Sequence, residues 1–346
     1  MSTYLFSTYT FRAANCARFA LLWLVVCTPV QAEPAGIGEP IARRGDEIMV
    51  CGQLYHTTAP VILWTDPEGY DAYRVERRFD PAEESSWEQI QADGGGPGSP
   101  NRYGLRQTEF TEEELQRVRG GGWDLALLRG VVDQFVLHYD VCGTSQTCFR
   151  ILHDKRGLSV HFMLDVDGTI YQTLDLKERA WHATISNTRS IGVEIAQIGA
   201  YPEGKLDVLR RWYRTDEGGE TWLNLPKPAA ELGVRTPNFQ GRPMRDAMVR
   251  GAVQGEELAQ YDFTPEQYDS LMKLTATLCT IFPKLKCDYP KDEAGKLIPQ
   301  KLPDDELQTY GGVLGHYHVQ TNKTDPGPVL QWDLLIDGAR KLMGGG

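Results

Sequence analysis

Apolar and polar positions along this chain follow two periods, which predict strands and helices in alternation. Side chains that alternate, or that form short apolar runs bounded by turn residues, predict strands. These stretches are residues 48–54, 60–64, 135–138, 160–166, 169–172 and 190–196. Asp167 and Gly168 separate two of them by two residues, the signature of a tight hairpin.

Helical periodicity appears between these strands. Thr111 with Glu114 forms a predicted capping box for a helix that stops at the glycines 120–122. Thr264 caps a longer helix, with Pro265 in its first turn, and an amphipathic helix follows residue 330. A short helix over 148–153 places His153 on a helix surface. Strands interleaved with helices predict a mixed α/β fold.

Composition shifts divide the chain further. Residues 33–100 predict a small β-rich accessory region that ends in a Gly/Pro linker, 93–100, which suits neither a helix nor a strand. The main domain is expected over 101–346. Within it, residues 199–262 break the rhythm of helix and strand and are rich in Gly, Pro, Arg and Glu, so they are interpreted as an insertion of loops and short helices.

The first 32 residues have the pattern of a signal peptide. Arg12 and Arg18 precede an apolar stretch, 19–26, that is too short to span a bilayer, and residues 30–32 form a small-residue cleavage site. Cleavage before Cys27, as in a lipoprotein, is the less favoured alternative because Val26 is bulky. The protein is therefore expected in the periplasm or outside the cell, without an integral membrane segment in the mature chain.

Charge and cysteine content refine this picture. The formal net charge is −11, and it becomes −13 without the two arginines of residues 1–32, which argues against nucleic-acid binding. Five cysteines remain after cleavage. Export permits disulfides, and two short-loop bridges, Cys142–Cys148 and Cys279–Cys287, are the preferred arrangement. Sequence spacing alone does not fix the pairing.

Two histidines and an aspartate stand where a metal site would require them. His138, which ends the apolar run 135–138, is alone better explained as a core histidine. The segment 315–328 changes that interpretation, because it supplies His316 and Asp325 just before a stiff Pro-Gly-Pro. Two neutral imidazoles and one carboxylate are a common shell for catalytic zinc, with a fourth position left for water.

An acid and a cation accompany this set. Glu194 shares a strand face with the small residues Ser190, Gly192 and Ala196, which leaves space around its carboxylate. The alternative is a solvent-exposed acid at a sheet edge. Lys323 lies two residues before Asp325 and points into the same space if the segment is extended. Metal, water, acid and cation together are the requirements for hydrolysing an amide.

Several ordered motifs resemble the zinc-dependent N-acetylmuramoyl-L-alanine amidases of type 2. They lie at residues 159–172, 180–183, 190–195 and 315–328. The resemblance, which extends over roughly 112–198 and 262–340, implies a mixed central β-sheet flanked by helices, as in peptidoglycan recognition proteins. It also implies hydrolysis of the amide between N-acetylmuramic acid and L-alanine in peptidoglycan or muropeptides. Cys142 and Cys148 resemble a short disulfide of the recognition proteins.

Residue roles follow from the same resemblance. His138, His316 and Asp325 are the implied zinc ligands, Glu194 the acid that handles the proton of water, and Lys323 the group that stabilises the oxyanion. His318 is a rival to Asp325 as third ligand. Trp181 and His182 either line the groove or pack in the core. A non-catalytic peptidoglycan-binding protein and a zinc hydrolase of a different cell-wall amide are the alternative functions.

Overall fold

The structure, a computed structural model, describes residues 1, 37–92, 102–106, 111–119 and 124–344. Apart from Met1, the predicted signal peptide lies outside the described residues, as do the linker 93–100 and the glycines 120–122. The chain divides into two units, Met1–Ala42 and Arg43–Gly346. The described part of the first unit contains a turn at Ile37 and Gly38.

All helices and strands of the described residues lie in the second unit. The strands are β1 Glu47–Val50, β2 Gln53–His56, β3 Val61–Leu63, β4 Tyr103–Gly104, β5 Gln134–Tyr139, β6 Phe162–Leu164, β7 Ile170–Gln172, β8 Arg179–Ala180, β9 Ser190–Ile195, β10 Tyr213–Thr215, β11 Thr221–Leu223, β12 Val249–Val253, β13 Glu256–Gln260 and β14 Gly312–Gly315. The helices are α1 Trp87–Ala92, α2 Glu112–Arg119, α3 Leu125–Val131, α4 Ser145–Phe149, α5 Asp207–Trp212, α6 Pro265–Ile281, α7 Asp304–Thr309 and α8 Trp332–Leu342.

A six-stranded mixed sheet forms the centre of this unit, in the order β14-β5-β9-β6-β7-β3. The strands β14, β5, β9 and β6 pair in parallel, β6 and β7 form an antiparallel hairpin, and β3 pairs in parallel with β7. Helices flank the sheet, as predicted, and the fold class is confirmed. Gly168 occupies the turn of the hairpin with a positive φ of 82°, a conformation that glycine adopts without strain.

One face of the sheet packs against the long helix α6, which in turn packs against α8. Ile191, Val193 and Ile195 of β9 are fully buried in this core, together with Leu274 and Leu278 of α6. The opposite face of β9 therefore presents Ser190, Gly192 and Glu194, the alternation that the sequence predicts. Thr264 and Gln267 form the predicted capping box of α6.

The N-terminal region, for which the sequence predicts a β-rich accessory region over 33–100, contributes to the central sheet and to the main core. β3 is the edge strand of the central sheet, and Ile48 and Val50 of β1 are buried in the main core. The side chain of Gln172 accepts from the backbone of Met49 at 2.7 Å and donates to its carbonyl at 2.8 Å. These contacts place residues 43–92 in the same unit as the remainder of the sheet.

The insertion 199–262 contains more regular structure than loops and short helices. It holds α5 and two hairpins, β10–β11 and β12–β13. His153 also differs from its prediction, because α4 continues into a π-helical turn, Arg150–Lys155, that directs this side chain inwards. Its ring stacks on that of Phe149, with the ring centres 4.5 Å apart, and its Nδ1 lies 2.8 Å from Oδ1 of Asp154.

Candidate active site

The register of three parallel strands determines where the predicted site residues lie. His138 of β5 pairs directly with Glu194 of β9. Gly315 ends β14 opposite Leu137, so His316 follows directly after the neighbouring strand, next to the level of His138. The carboxyl ends of parallel strands are the usual location of sites in α/β proteins. The sheet thus brings together three of the five predicted residues.

Asp325 completes a triangle of ligand atoms with the two histidines. The Nδ1 atoms of His138 and His316 are 2.9 Å apart, and each lies 2.9 Å from Oδ2 of Asp325. All three side chains are buried. At most one proton fits between two facing ring nitrogens, whereas one cation satisfies both lone pairs and the carboxylate. The donor set, two imidazoles and a carboxylate, fits zinc.

Backbone contacts of the segment around Asp325 hold its carboxylate towards the histidines. Tyr317 donates its N–H to the carbonyl of Asp325 at 3.2 Å, and Gly327 donates to the carbonyl of Thr324 at 2.9 Å. The hydroxyls of Tyr139 and Thr324 are 2.5 Å apart. The end of β5 is thereby connected to the segment that supplies the third ligand atom.

Each of the two histidines, His138 and His316, has a partner on its other ring nitrogen. Nε2 of His138 lies 3.0 Å from Nδ1 of His182, and Nε2 of His316 lies 2.6 Å from Oε1 of Gln320. Such outer contacts orient imidazole ligands and select the nitrogen that faces the metal. Gln320 was not identified from the sequence, although its position four residues after His316 was an available signal.

His318, the rival ligand, is directed away from the triangle. Its Nδ1 accepts from the backbone N–H of Gly315 at 2.8 Å, and its Nε2 donates to the carbonyl of Ile298 at 2.7 Å. Both ring nitrogens are therefore occupied by backbone groups. Burial lowers the pKa of His318 to about 3, so the ring is neutral.

Glu194 and Lys323 line the same cavity as the triangle, a space of 170 Å³. Burial raises the pKa of Glu194 well above its usual value, and the nearby carboxylates of Asp325 and Asp140 raise it further. Lys323 acts in the opposite direction and favours the ionised carboxylate. A carboxyl group in such surroundings is suited to accept and return a proton near neutral pH.

The charges of the triangle are strongly coupled. Burial, followed by the adjacent His316, lowers the pKa of His138 to about 4. Burial opposes ionisation of Asp325, but the rings of His316 and His138 outweigh it and leave the pKa of this carboxyl below its usual value. A neutral His138 beside an ionised Asp325 is the pair of protonation states that a metal ion requires of these two groups.

The five cysteines of the described residues are free thiols, so the two expected bridges are absent from the structure. The expected pairs are nevertheless neighbours. Cys148 and Cys142 are hydrogen-bond partners, as are Cys279 and Cys287. Cys142 and Cys148 also line the cavity that contains Glu194. The sequence therefore predicted which thiols meet, although none of them is bonded here.

Residues 128–328, more than half of the chain, match the family described as N-acetylmuramoyl-L-alanine amidase. The structure is similar to a selenomethionine derivative of AmpD at 16% identity, with a TM-score of 0.31 and coverage of 68% of this chain and 89% of that chain. It is also similar to LysC from Clostridium intestinale at 14% identity, with a TM-score of 0.31 and coverage of 63% and 89%.

AmiD from E. coli, in complex with the substrate anhydro-N-acetylmuramic acid-L-Ala-D-γ-Glu-L-Lys, is similar at 17% identity. The TM-score is 0.32, and the alignment covers 62% of this chain and 58% of that chain. No curated protein matches the chain. Within the part of the chain that the structure describes, no helix has the length and apolar content needed to cross a membrane.

The family match, on a mixed α/β sheet, defines an enzyme of the amide-hydrolase class. More specifically, the chain belongs to the N-acetylmuramoyl-L-alanine amidase family. It hydrolyses the amide bond between N-acetylmuramic acid and L-alanine of peptidoglycan.

Proposed function

We propose that this hydrolysis uses a zinc ion held by His138, His316 and Asp325. The observation that supports the proposal is the convergence of three ligand atoms at mutual distances of 2.9 Å, directly beside Glu194. When bound, zinc lowers the pKa of a water molecule to roughly 7 and polarises the scissile carbonyl.

Glu194 is proposed to move the proton of the reaction. Its carboxylate accepts a proton from the attacking water while the water oxygen bonds to the lactyl carbonyl carbon. The same carboxyl group then delivers that proton to the nitrogen of L-alanine as the C–N bond breaks. The products are a free lactyl carboxylate and a stem peptide with an amine at its L-alanine. The raised pKa of Glu194 supports both transfers.

Lys323 is proposed to stabilise the negative charge that develops on the carbonyl oxygen. Its half-buried side chain lines the cavity with Glu194 and Asp325. A fixed cation in a partly dehydrated cavity stabilises an oxyanion more strongly than it would in bulk water.

The insertion 199–262 is proposed to form one wall beside the cavity and to influence which substrates enter. The ring of Trp212 packs against Gly143, and a Cβ atom added to Gly143 would lie 2.4 Å from that ring. Gly143 follows Cys142, which lines the cavity. On the adjoining hairpin, Asp167 accepts from the backbone N–H groups of Arg235 and Thr236 at 3.1 and 2.8 Å.

We also propose that the protein is exported and acts on peptidoglycan or soluble muropeptides in the periplasm or outside the cell. The signal-peptide pattern of residues 1–32 supports export. The acidic balance of the chain, −11 overall, suits an uncharged glycan with a short peptide better than a polyanion.

The test separates metal binding from turnover. Purified protein beginning at Glu33 is incubated with peptidoglycan, and the products are identified by mass spectrometry. We expect intact stem peptides with a free L-alanine amine, loss of activity after chelation and recovery with zinc. Asp325→Ala is expected to lose both zinc and activity, and Glu194→Gln to retain zinc but lose activity at least ~100-fold.

His56→Ala serves as a control, because this histidine is exposed and lies on β2 outside the cavity. It is expected to retain zinc and full activity. Unchanged activity of the native protein after exhaustive removal of zinc would refute the metal-dependent mechanism. Cleavage at another bond of the stem peptide would refute the assigned substrate bond while leaving the zinc site intact.

A further inference from the structure

His182 lies between the metal-ligand candidate His138 and the base of strand β9. Its Nδ1 is 3.0 Å from Nε2 of His138, and its Nε2 is 3.1 Å from Oγ of Ser190. Both nitrogens of the ring therefore have one partner each. The three side chains form a continuous row that begins at the ligand triangle and ends at a hydroxyl group on the sheet.

The local structure leaves little freedom for this ring. Oδ1 of Asn187 accepts from the backbone N–H groups of His182 and Ala183 at 3.0 and 2.6 Å, which fixes the loop that carries the ring. Gly192 faces the ring from β9, and a Cβ at this position would lie 2.5 Å from Nδ1 of His182. The glycine thus provides the space in which the imidazole lies.

Hydrogen-bond chemistry permits one arrangement of protons along the row. If Nδ1 of His138 faces a metal ion, Nε2 of this neutral ring bears its proton and must donate. Nδ1 of His182 is then the acceptor, so its own proton lies on Nε2 and is donated to Ser190. The arrangement requires no charged ring and matches every distance in the row.

We propose that His182 is a positioning residue that, through Ser190, fixes the orientation and tautomer of His138 for metal binding. The inference deepens the proposed zinc site and depends on it. A histidine at this place supplies a neutral acceptor, whereas carboxylate or carbonyl oxygens are the more common partners of metal-bound imidazoles. It therefore orients His138 without adding a negative charge beside Glu194.

His161 provides a matched control. It is another buried histidine, with its ring centre 5.8 Å from that of His182. Its Nδ1 accepts from the N–H of Gly192 at 3.1 Å, and its Nε2 lies 3.0 Å from the carbonyl of Glu178. Among the described residues, none of its hydrogen bonds involves His138. Replacement of either ring by leucine damages the same region of the core, but only one replacement removes the acceptor for His138.

The experiment measures the zinc dissociation constant by competition with a chromophoric chelator, and the cobalt(II) absorption spectrum as a report on ligand geometry. His182→Leu is expected to weaken zinc binding by ~10–100-fold and to change the cobalt spectrum. His182→Asn, whose Oδ1 can replace Nδ1 as acceptor, is expected to restore most of the affinity. Ser190→Ala is expected to cause a smaller loss, and His161→Leu to retain native affinity and spectrum.

Native affinity and an unchanged cobalt spectrum in folded His182→Leu would overturn the positioning role. Equal losses in His182→Leu and His161→Leu would also overturn it, because general damage to the core would then be the cause. If His182→Leu does not fold, Ser190→Ala decides, because it removes the partner that fixes the tautomer of His182: the proposal requires this variant to bind zinc more weakly than the native protein. Failure of the native protein to bind zinc would instead refute the proposed function.

Discussion

Asp165 is a buried carboxyl group whose two oxygens have different surroundings. Oδ1 accepts from the backbone N–H groups of Val166 and Ser145 at 2.8 and 3.3 Å. Oδ2 has no hydrogen-bond partner among the described residues. Burial, followed by the neighbouring Asp167, raises the pKa of Asp165 to about 8. The folded protein therefore holds a proton that the unfolded chain releases at a much lower pH.

This difference makes Asp165 a source of pH-dependent stability. Between the unfolded value of 3.8 and the folded value of about 8, the unfolded state binds fewer protons, so stability decreases as pH rises. Asp165→Asn removes this titration. As the pH rises from 4.5 to 7.5, we expect the free energy of unfolding of the variant to increase, relative to that of the native protein, by about 1 kcal/mol or more.

Urea unfolding at a series of pH values measures this gain. The substitution Asp269→Asn, at an exposed carboxyl group of α6, is the control. Its free energy of unfolding is expected to change with pH in the same way as that of the native protein. If the unfolding free energy of Asp165→Asn also changed with pH as it does in the native protein, Asp165 would not hold its proton in the folded state.

The sequence predicted most residues of the candidate site, but not all of their contacts. Glu194, His316, Lys323 and Asp325 belong to ordered motifs, and His138 ends an apolar run. The structure places all five at one cavity. Gln320 was not predicted, because its position four residues after His316 does not by itself distinguish it from a surface glutamine. The direction of His318 depends on a backbone carbonyl, that of Ile298, which no spacing rule specifies.

At the scale of elements, hydrogen bonds connect the N-terminus of α6 to the central sheet. The hydroxyl of Thr264 accepts from the N–H of Gln267 at 3.1 Å and donates to the carbonyl of Val166 at 2.8 Å. The side chain of Gln267 accepts from Thr264 at 3.0 Å and donates to the carbonyl of Ala196 at 2.8 Å. One capping box thus satisfies the helix terminus and also contacts the turn between β6 and β7 and the residue that follows β9.

Thr264→Ala should therefore cost more than the loss of an ordinary helix cap. We expect a decrease of about 2 kcal/mol in the free energy of unfolding, because a buried carbonyl also loses its donor. Thr264→Ser retains the hydroxyl and should restore most of the loss. Thr111→Ala removes the equivalent capping box from the exposed start of α2 and should cost about 0.5–1 kcal/mol.

Denaturant unfolding of the three variants provides the comparison. Equal costs for Thr264→Ala and Thr111→Ala would mean that the contacts with Val166 and Ala196 add nothing to the cap.

Elements with strong periodicity were predicted well, whereas short ones were not. The helices α6 and α8 have long apolar stripes, and their prediction is confirmed. The strands β10 and β11 contain three residues each, too few for alternation to distinguish a strand from a loop. His153 was misplaced because a π-helical turn shifts the face on which a side chain emerges.

At the scale of the whole molecule, the main difference concerns residues 43–92. Local patterns predicted their strands, but the partner of β3 is β7, more than a hundred residues further along the chain. No local signal specifies such a pairing. Composition suggested a boundary near residue 100, whereas the hydrogen bonds of β3 and the burial of β1 unite both sides of that boundary.

Truncation tests whether the residues after 100 need residues 43–92 in order to fold. A chain beginning at residue 101 lacks Ile48, Val50, Val61 and Leu63, all buried in the main core. Their burial contributes about 1.5–3 kcal/mol each, comparable with the whole stability of a typical domain, and the edge of β7 becomes exposed. We expect this chain to aggregate or to lose cooperative thermal unfolding.

A chain beginning at residue 40 retains all of these contacts and should unfold at the temperature of the native protein, as measured by circular dichroism. A chain beginning at residue 101 that is soluble and unfolds cooperatively at that temperature would establish an independent domain there.

The direct pairing of His138 with Glu194 has a consequence for how such an enzyme can diversify. The separation of the two backbones is set by hydrogen bonds between neighbouring strands, about 4.8 Å, rather than by any loop. A loop elsewhere can therefore lengthen, acquire hairpins or change its composition without altering the separation of His138 and Glu194. The relative position of His138 and Glu194 thus depends on the sheet, whereas the positions of Lys323 and Asp325 depend on the loop that carries them.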